Sequence, residues 1–415
     1  DLVALTDEER EDGRFDEKRS DVLVGLARLA RLGGRWKDAN AFFRGAVRLD
    51  PKAAAPNVAW GALLLEKHAA DEARAAFEDA LADAPDDPDA HSGLARALIQ
   101  LSYDRAGADA ALARALRKNP RHPGALALRG ELLLDGEDDD GVRAVIAKLR
   151  QTRPDDPGAA VLAAALARLR DDVDGYGRER DARLAVRPGD AAFFFEVAEA
   201  LVRHRRYADA RAVAEEGVAA APDDGRALAS LGTTLLRLGE EGDGLAALRR
   251  SFDKDPYDAR VFNLLTLFER IIPDRYVSFD VGPFRFRAEP ATRPALELVV
   301  APFLEGVYRH YVGRYGFTPR GPIVFELYAD PAHFGVRTTG LPNLGVAAVC
   351  FGRVITSTAP SNGSHSWGLV LAHELAHVFA LELSRSHVPR WFTEGLSELE
   401  TTRLPDAPAW RRHAD

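Results

Sequence analysis

Residues 39–51 read Ala39-Asn40-Ala41-Phe42-Phe43-Arg44-Gly45-Ala46-Val47-Arg48-Leu49-Asp50-Pro51. One period later the chain reads Ala73-Arg74-Ala75-Ala76-Phe77-Glu78-Asp79-Ala80-Leu81-Ala82-Asp83-Ala84-Pro85. Alanine, phenylalanine, alanine and proline stand at offsets 0, 4, 7 and 12 in both stretches. Offsets 0, 4 and 7 share one face of a helix, so small residues let a second helix approach and the aromatic fills the gap. The proline ends that helix, because it lacks an N–H and restricts the residue before it. Along the chain, prolines fall at Pro51, Pro85, Pro120, Pro154, Pro188, Pro222 and Pro256, spaced 34, 35, 34, 34, 34 and 34 residues apart. Gly61, Gly130 and Gly232 occupy one equivalent position in the first helix of their units. A fixed period of this kind marks a stacked array whose units bury their apolar faces against one another.

Thirty-four residues is the period of the tetratricopeptide repeat, and residues 21 to 256 resemble about seven of them. The fifth, around Tyr176 to Arg187, is degenerate. The resemblance implies an all-α solenoid with a concave surface that commonly binds a peptide or a partner protein, though a rigid spacer would carry the same pattern. The expected organisation is an N-terminal segment at 1–20, the repeat array at 21–272 and a second domain at 274–415.

A chain of 415 residues fits two or three domains, and 46% hydrophobic with 29% charged residues fits a globular protein. A net charge of -9 argues against a broad electrostatic footprint for nucleic acid. The single cysteine, Cys350, excludes an intrachain disulfide and reads as a small buried hydrophobe on a strand. The longest uncharged run, Val354 to His373, is too polar for a membrane span. The chain opens Asp1-Leu2-Val3-Ala4 with no signal peptide, and it has no Met, which suggests a fragment or a processed chain. The compartment stays unassigned, between cytoplasm and cell envelope.

Past Pro256 the texture changes, and the alanine-rich helices stop near Pro273. Tyr276 to Phe279 and Phe284 to Arg287 read as strands, the second with half-buried alternation. Ala295 to Tyr315 reads as an amphipathic helix with Leu296, Leu298, Val299, Phe303 and Val307 toward the core. Ile323 to Leu327 is a strand, and Val346 to Phe351 with Val354 to Thr356 form a strand or hairpin broken at Gly352-Arg353. A polar turn, Ser361 to Ser364, precedes a helix from about Ser366 to Leu383, capped by Ser364 or Ser366. A further helix begins near Arg390 or Trp391, after Pro389. This is an α+β domain with strands first.

The helix after the turn carries His373-Glu374-Leu375-Ala376-His377. Positions i and i+4 share a face, so both imidazoles can reach one ion while Glu374 points to the same cavity. Uncharged flanks, Val370 and Val378-Phe379, suit a buried helix. Sixteen residues separate His377 from Glu394, which lies inside Trp391-Phe392-Thr393-Glu394-Gly395. Here the chain resembles the gluzincins, zinc peptidases that add a glutamate from a second helix to two histidines.

That resemblance implies a zincin-like fold and a Zn2+ site with His373, His377 and Glu394 as ligands and an open position for water, though other divalent ions bind such donors too. Glu374 is then the catalytic base for peptide-bond hydrolysis, taking a proton from metal-activated water and passing it to the leaving amine. Glu398, four residues beyond the ligand, would accept the free N–H of the first histidine, unless it is a solvated helix residue. The segment Gly345 to Gly352, with Val346, Ala347, Ala348 and Val349, would hold substrate backbone as an edge strand, or else is an ordinary core strand. His365 and His387 read as structural or surface residues. Gluzincins usually supply a later tyrosine or histidine to the oxyanion; no tyrosine follows Tyr328 here, and past Glu394 only His413 remains. The expected function is a zinc peptidase acting on a peptide or protein substrate, its array recruiting that substrate or a partner. The alternative is a non-enzymatic repeat scaffold with a metal-binding, catalytically incompetent peptidase-like domain.

Overall fold

The computed structural model describes residues 18–51, 53–342, 344–359 and 366–404. The polar turn at Ser361 to Ser364, His365, His413 and most of the segment 1–20 lie outside the described residues. Two compact units divide the chain, Asp1–Leu162 and Ala163–Asp415. The division does not fall at the change of texture near residue 273, because the last repeats share contacts with the sheet that comes after them.

From Ser20–Leu32 and Trp36–Leu49 to Gly225–Arg237 and Glu241–Lys254, fourteen helices run as seven antiparallel-patterned pairs of 13 to 15 residues. Each second helix stops just before the capping residue that precedes a phased proline, as at Leu49 before Asp50-Pro51 and Asp83 before Ala84-Pro85. Ala39, Phe43 and Ala46, and likewise Ala73, Phe77 and Ala80, are essentially inaccessible to solvent. Phe77 lies so close under Gly61 that a Cβ there would meet its ring at 2.8 Å, which explains the glycine in the first helix. The fifth pair, despite its weak sequence match, keeps a full second helix, Val173–Val186, with Tyr176 buried.

Within every pair the turn between helices is made at one left-handed residue. Gly34, His68, Tyr103, Glu137, Asp171, Arg205 and Gly239 all have φ between +53° and +81°, with the spacing of the prolines. Five of the seven are not glycine, so the repeat geometry imposes this backbone on whatever residue stands there.

In the second unit, helix Ala259–Thr266 runs on through a π turn, Leu267–Ile271, and a last turn, Ile272–Arg275. Pro273 is therefore inside the last helical turn. A five-stranded mixed sheet comes next: β1 (Val277–Val281), β2 (Phe284–Ala288), β3 (Ile323–Tyr328), β4 (Ala348–Cys350) and β5 (Val354–Thr358), in the order β1-β2-β3-β5-β4. β2, β3 and β5 run parallel, while β1 and β4 are antiparallel edges. β4 and β5 form a hairpin turned at Gly352, φ +87°. On one sheet face Phe284, Phe286, Phe325 and Ile355 pack with Leu304, Val307 and Tyr311 and with Leu371, Leu375 and Phe379. On the other, Tyr328 and Phe334 join Leu264, Leu267 and Phe268 of the helix that ends the array.

One expected face is wrong. Leu298 is 78% exposed and Val299 53%, whereas Leu296, Val300, Ala301, Leu304 and Val307 are buried. Leu298 stands half a turn around the helix from Val307, so the two cannot share one inward face; the buried stripe runs Leu296, Val300, Leu304, Val307 and Tyr311 at ordinary three- and four-residue spacing.

A buried ion network ties the last repeats to the sheet. Glu326, on central β3 and 1% exposed, pairs with Arg287 at 2.9 Å and Arg337 at 2.6 Å. Arg287 continues to Glu241 at 2.7 Å, and Arg337 donates to the Leu236 carbonyl at 3.0 Å. Tyr207 of the sixth pair stacks edge-on to Phe351, with ring centroids 5.8 Å apart. None of the described helices is long and apolar enough to cross a membrane.

Candidate metal centre

The helix Trp367–Leu383 is apolar nearly all round, which places it inside the fold rather than on its surface. Leu371, Ala372, Leu375, Ala376, Val378 and Phe379 bury it against the sheet. His373, Glu374 and His377 share the remaining face, and of these Glu374 and His377 are buried. Ser366 stands at the cap position, but its hydroxyl makes no capping bond. The chain then reverses through Arg385 and Ser386, both left-handed, and Pro389 precedes the helix Arg390–Thr402. That return brings Glu394 back over the histidines.

His373, His377 and Glu394 offer ligand atoms that all lie within 4.8 Å of one another. Glu394 Oε2 is 3.3 Å from Nε2 of both histidines. The two rings meet edge to face, 82° apart. Ser397, one turn beyond Glu394 and fully buried, places Oγ 3.0 Å from His377 Nδ1. With an ion at the site, Nδ1–H would donate to that oxygen and leave the Nε2 lone pair to the ion. Glu398 does less: its Oε2 is 3.7 Å from His373 Nδ1, beyond hydrogen-bond reach, and its side chain is 71% exposed.

The charges follow from this packing. Hydrogen bonds from His373 and His377 hold the Glu394 carboxyl far below the usual range, against some burial and with help from Arg205. Burial drives His377 down to about 4. His373 is also penalised by burial, but Glu394, Glu374 and Glu398 together outweigh it and raise its pKa. Burial pushes Glu374 up to about 7, and its Oε2 is buried without a hydrogen-bond partner among the described residues. Two imidazole nitrogens and one carboxylate oxygen, with a buried carboxylate oxygen left unpaired beside them, fit a divalent cation of the zinc type.

Beside the site lies a cleft of about 330 Å³ lined by Ala347, Ala348, Leu369, Val370, His373, Glu374, Glu398 and Thr401. Ala347 and Ala348 belong to the β4 edge and the loop leading into it. Val346 is 49% exposed next to them, whereas Val349 turns its side chain into the core beneath. Cys350 is fully buried at the end of β4, and burial raises its thiol well above the ordinary range. His387 stands apart from the centre, 3.0 Å from Asp171.

Three neighbours were not found from the sequence: Ser397, Thr393 and Arg205. The Arg205 side chain reaches Glu394 Oε1 at 2.7 Å and Thr393 Oγ1 at 3.1 Å. Ser397 stands three residues past Glu394 on the same helix and was within reach of a periodicity argument. Arg205 lies 172 residues before His377, and no local pattern connects them.

Comparison with known proteins bears on the repeats. Family models of the tetratricopeptide repeat match residues 64–102 and 195–259. A tetratricopeptide repeat protein from Parabacteroides merdae aligns over 57% of this chain and 93% of its own, with 17% identity and a TM-score of 0.38. YrrB, described as a TPR protein with an unusual peptide-binding site, aligns over 44% of this chain and 92% of its own, with 21% identity and a TM-score of 0.29. No curated protein matches the chain. With the family matches and the paired helices, the region from about residue 20 to 255 is an all-helical tetratricopeptide-repeat solenoid, and a region with strands comes after it.

Proposed function

We propose that this chain is a zinc-dependent peptidase of gluzincin type whose repeat array recruits a protein substrate or partner. The observation that carries the reading is the convergence of His373 Nε2, His377 Nε2 and Glu394 Oε2 beside the buried, unpaired Glu374 Oε2. Zinc held by these three would polarise a scissile carbonyl and acidify a water at the open position.

The remaining steps belong to the chain. Glu374, buried and near neutrality, can accept the proton of an attacking water and return it to the leaving amine. Ser397 keeps His377 in the tautomer whose Nε2 is free. Among the described residues β4 is an edge strand paired to β5 alone, so its outer backbone groups are available to an extended peptide. The small side chains of Ala347 and Ala348 leave that peptide room in the cleft. Upstream, the solenoid offers the extended surface that repeat arrays use for peptides and proteins.

A second reading, a non-hydrolytic scaffold that keeps the metal site, is favoured by Arg205, a cation already seated on Glu394. The test is hydrolysis of an unstructured casein-type protein by zinc-loaded chain and by Glu374→Gln. The peptidase reading expects the variant to bind zinc but lose about 10²- to 10⁴-fold in rate. Equal residual hydrolysis in both would leave the scaffold reading standing.

A further inference from the structure

Arg205 stands in the turn between Ala191–Arg203 and Tyr207–Ala220, at φ +60°, in the left-handed position that recurs once per repeat. The solenoid therefore sets where its Cα lies, and nothing in the turn itself calls for arginine. Its equivalents in the flanking repeats also meet the C-terminal region. Asp171 pairs with His387, and a Cβ on Gly239 would meet Val354 at 3.1 Å. The row of turns is thus an edge along which the second unit's repeats face its sheet and helices.

The Arg205 side chain is only 13% exposed and ends at the candidate metal centre. Nη2 donates to Glu394 Oε1 at 2.7 Å, and Nη1 donates to Thr393 Oγ1 at 3.1 Å. Nη1 also lies 3.0 Å from His377 Nδ1 and 3.4 Å from His377 Nε2. An atom that near to both ring nitrogens sits over the ring face, away from the in-plane lone pair of either. Nη1 therefore lies over the His377 ring rather than in line with the Nδ1 lone pair, and Nδ1 stays within reach of Ser397. Neither contact takes the atoms that would face an ion. Glu394 Oε2 and the two Nε2 atoms remain turned toward one another.

We propose that Arg205, supplied by the repeat array, is a positioning residue of the metal centre. It takes one oxygen of Glu394, so that a single carboxylate oxygen faces the cation, and it fixes the plane of the His377 ring. The inference rests on the metal-site reading above and adds that the solenoid completes the site. A guanidinium suits both tasks, being planar, always charged and able to donate in two directions at once.

The test uses metal-free full-length chain as wild type, Arg205→Ala and Arg205→Lys. Zinc affinity is read by competition with a chromophoric chelator, and coordination by the visible spectrum of the Co2+-loaded chain. Circular dichroism of the metal-free chains reports folding. The expected result is zinc binding about 10- to 100-fold weaker in a folded Arg205→Ala. The cobalt band should weaken as Glu394 becomes free to bind through both oxygens, and added guanidinium should restore affinity. Arg205→Lys recovers little, because one ammonium cannot both cover the His377 ring and hold Oε1; if the alanine variant fails to fold, the lysine variant carries the same two readouts. Unchanged or tighter zinc binding with an unchanged cobalt spectrum in a folded variant overturns the proposal. Wild-type chain that binds neither ion removes the metal-site reading itself, and the proposal with it.

Discussion

Glu374 is the residue whose environment has the plainest consequence. Its pKa is about 7 against an ordinary 4.5, because burial penalises the carboxylate. Between those values the folded metal-free chain keeps a proton that the unfolded chain has lost, so Glu374 makes stability fall as pH rises. His377 works the other way: at about 4 against 6.5 it stays neutral in the fold where the unfolded chain is protonated, so its contribution grows with pH across that window. The two oppose each other, and the Glu374 part is isolated by substitution. Its shift corresponds to about 3 kcal/mol. In chelator, Glu374→Gln should therefore gain up to about 3 kcal/mol over wild type at pH 8 and almost nothing at pH 4. Urea melts at the two pH values check this, and a gain independent of pH contradicts it.

Among the elements, the pattern that could be read was the one repeated or sharply spaced. Seven phased prolines reported seven helix pairs, because each pair has to stop and turn at the same place to stack. His373, Glu374, His377 and Glu394 were legible because helical spacing and one return of the chain suffice to bring them together. The inward face of the segment at Ala295 to Tyr315 is narrower than expected, since Leu298 and Val299 are apolar yet lie toward solvent, and residue type alone does not separate an exposed leucine from a buried one. The ion network on Glu326 was equally hidden: its partners Arg287 and Arg337 come from other elements, and a lone acid in an apolar strand looks like an exception until they arrive. That network should be costly to break. Glu326→Ala takes the carboxylate partner from Arg337, whose side chain is 1% exposed, while Arg287 keeps Glu241; the loss should destabilise the chain by about 3–5 kcal/mol, measured by denaturant unfolding. A loss under about 1 kcal/mol would mean that Arg337 finds water. In the array, Gly232→Ala puts a Cβ 2.8 Å from the Gly244 carbonyl oxygen. Overpacking of that kind costs about 1–3 kcal/mol, and an unchanged melt would contradict so tight a crossing.

For the whole molecule, the sequence separated a repeat array from a second domain near residue 273, while the compact units divide at Leu162 and Ala163. Composition marks where helical repeats end; it says nothing about which repeats pack on the sheet beyond them. Tyr207, Arg260, Arg287 and Arg337 make those contacts, and Arg205 carries them into the candidate site. A fragment from residue 163 onward should therefore keep the candidate metal site, whereas one starting at residue 257 should lose both stability and any ion binding; comparable zinc affinity in the two fragments would refute this. Everything functional rests on two imidazoles and one carboxylate, from two neighbouring helices, holding a single divalent ion. The decisive measurement is the metal content of purified full-length chain, by elemental analysis, for wild type and for His373→Ala and Glu394→Ala. One zinc per wild-type chain is expected, with little or none in either variant. Wild type without metal, or variants that retain it in full, would show that these three side chains do not form an ion site.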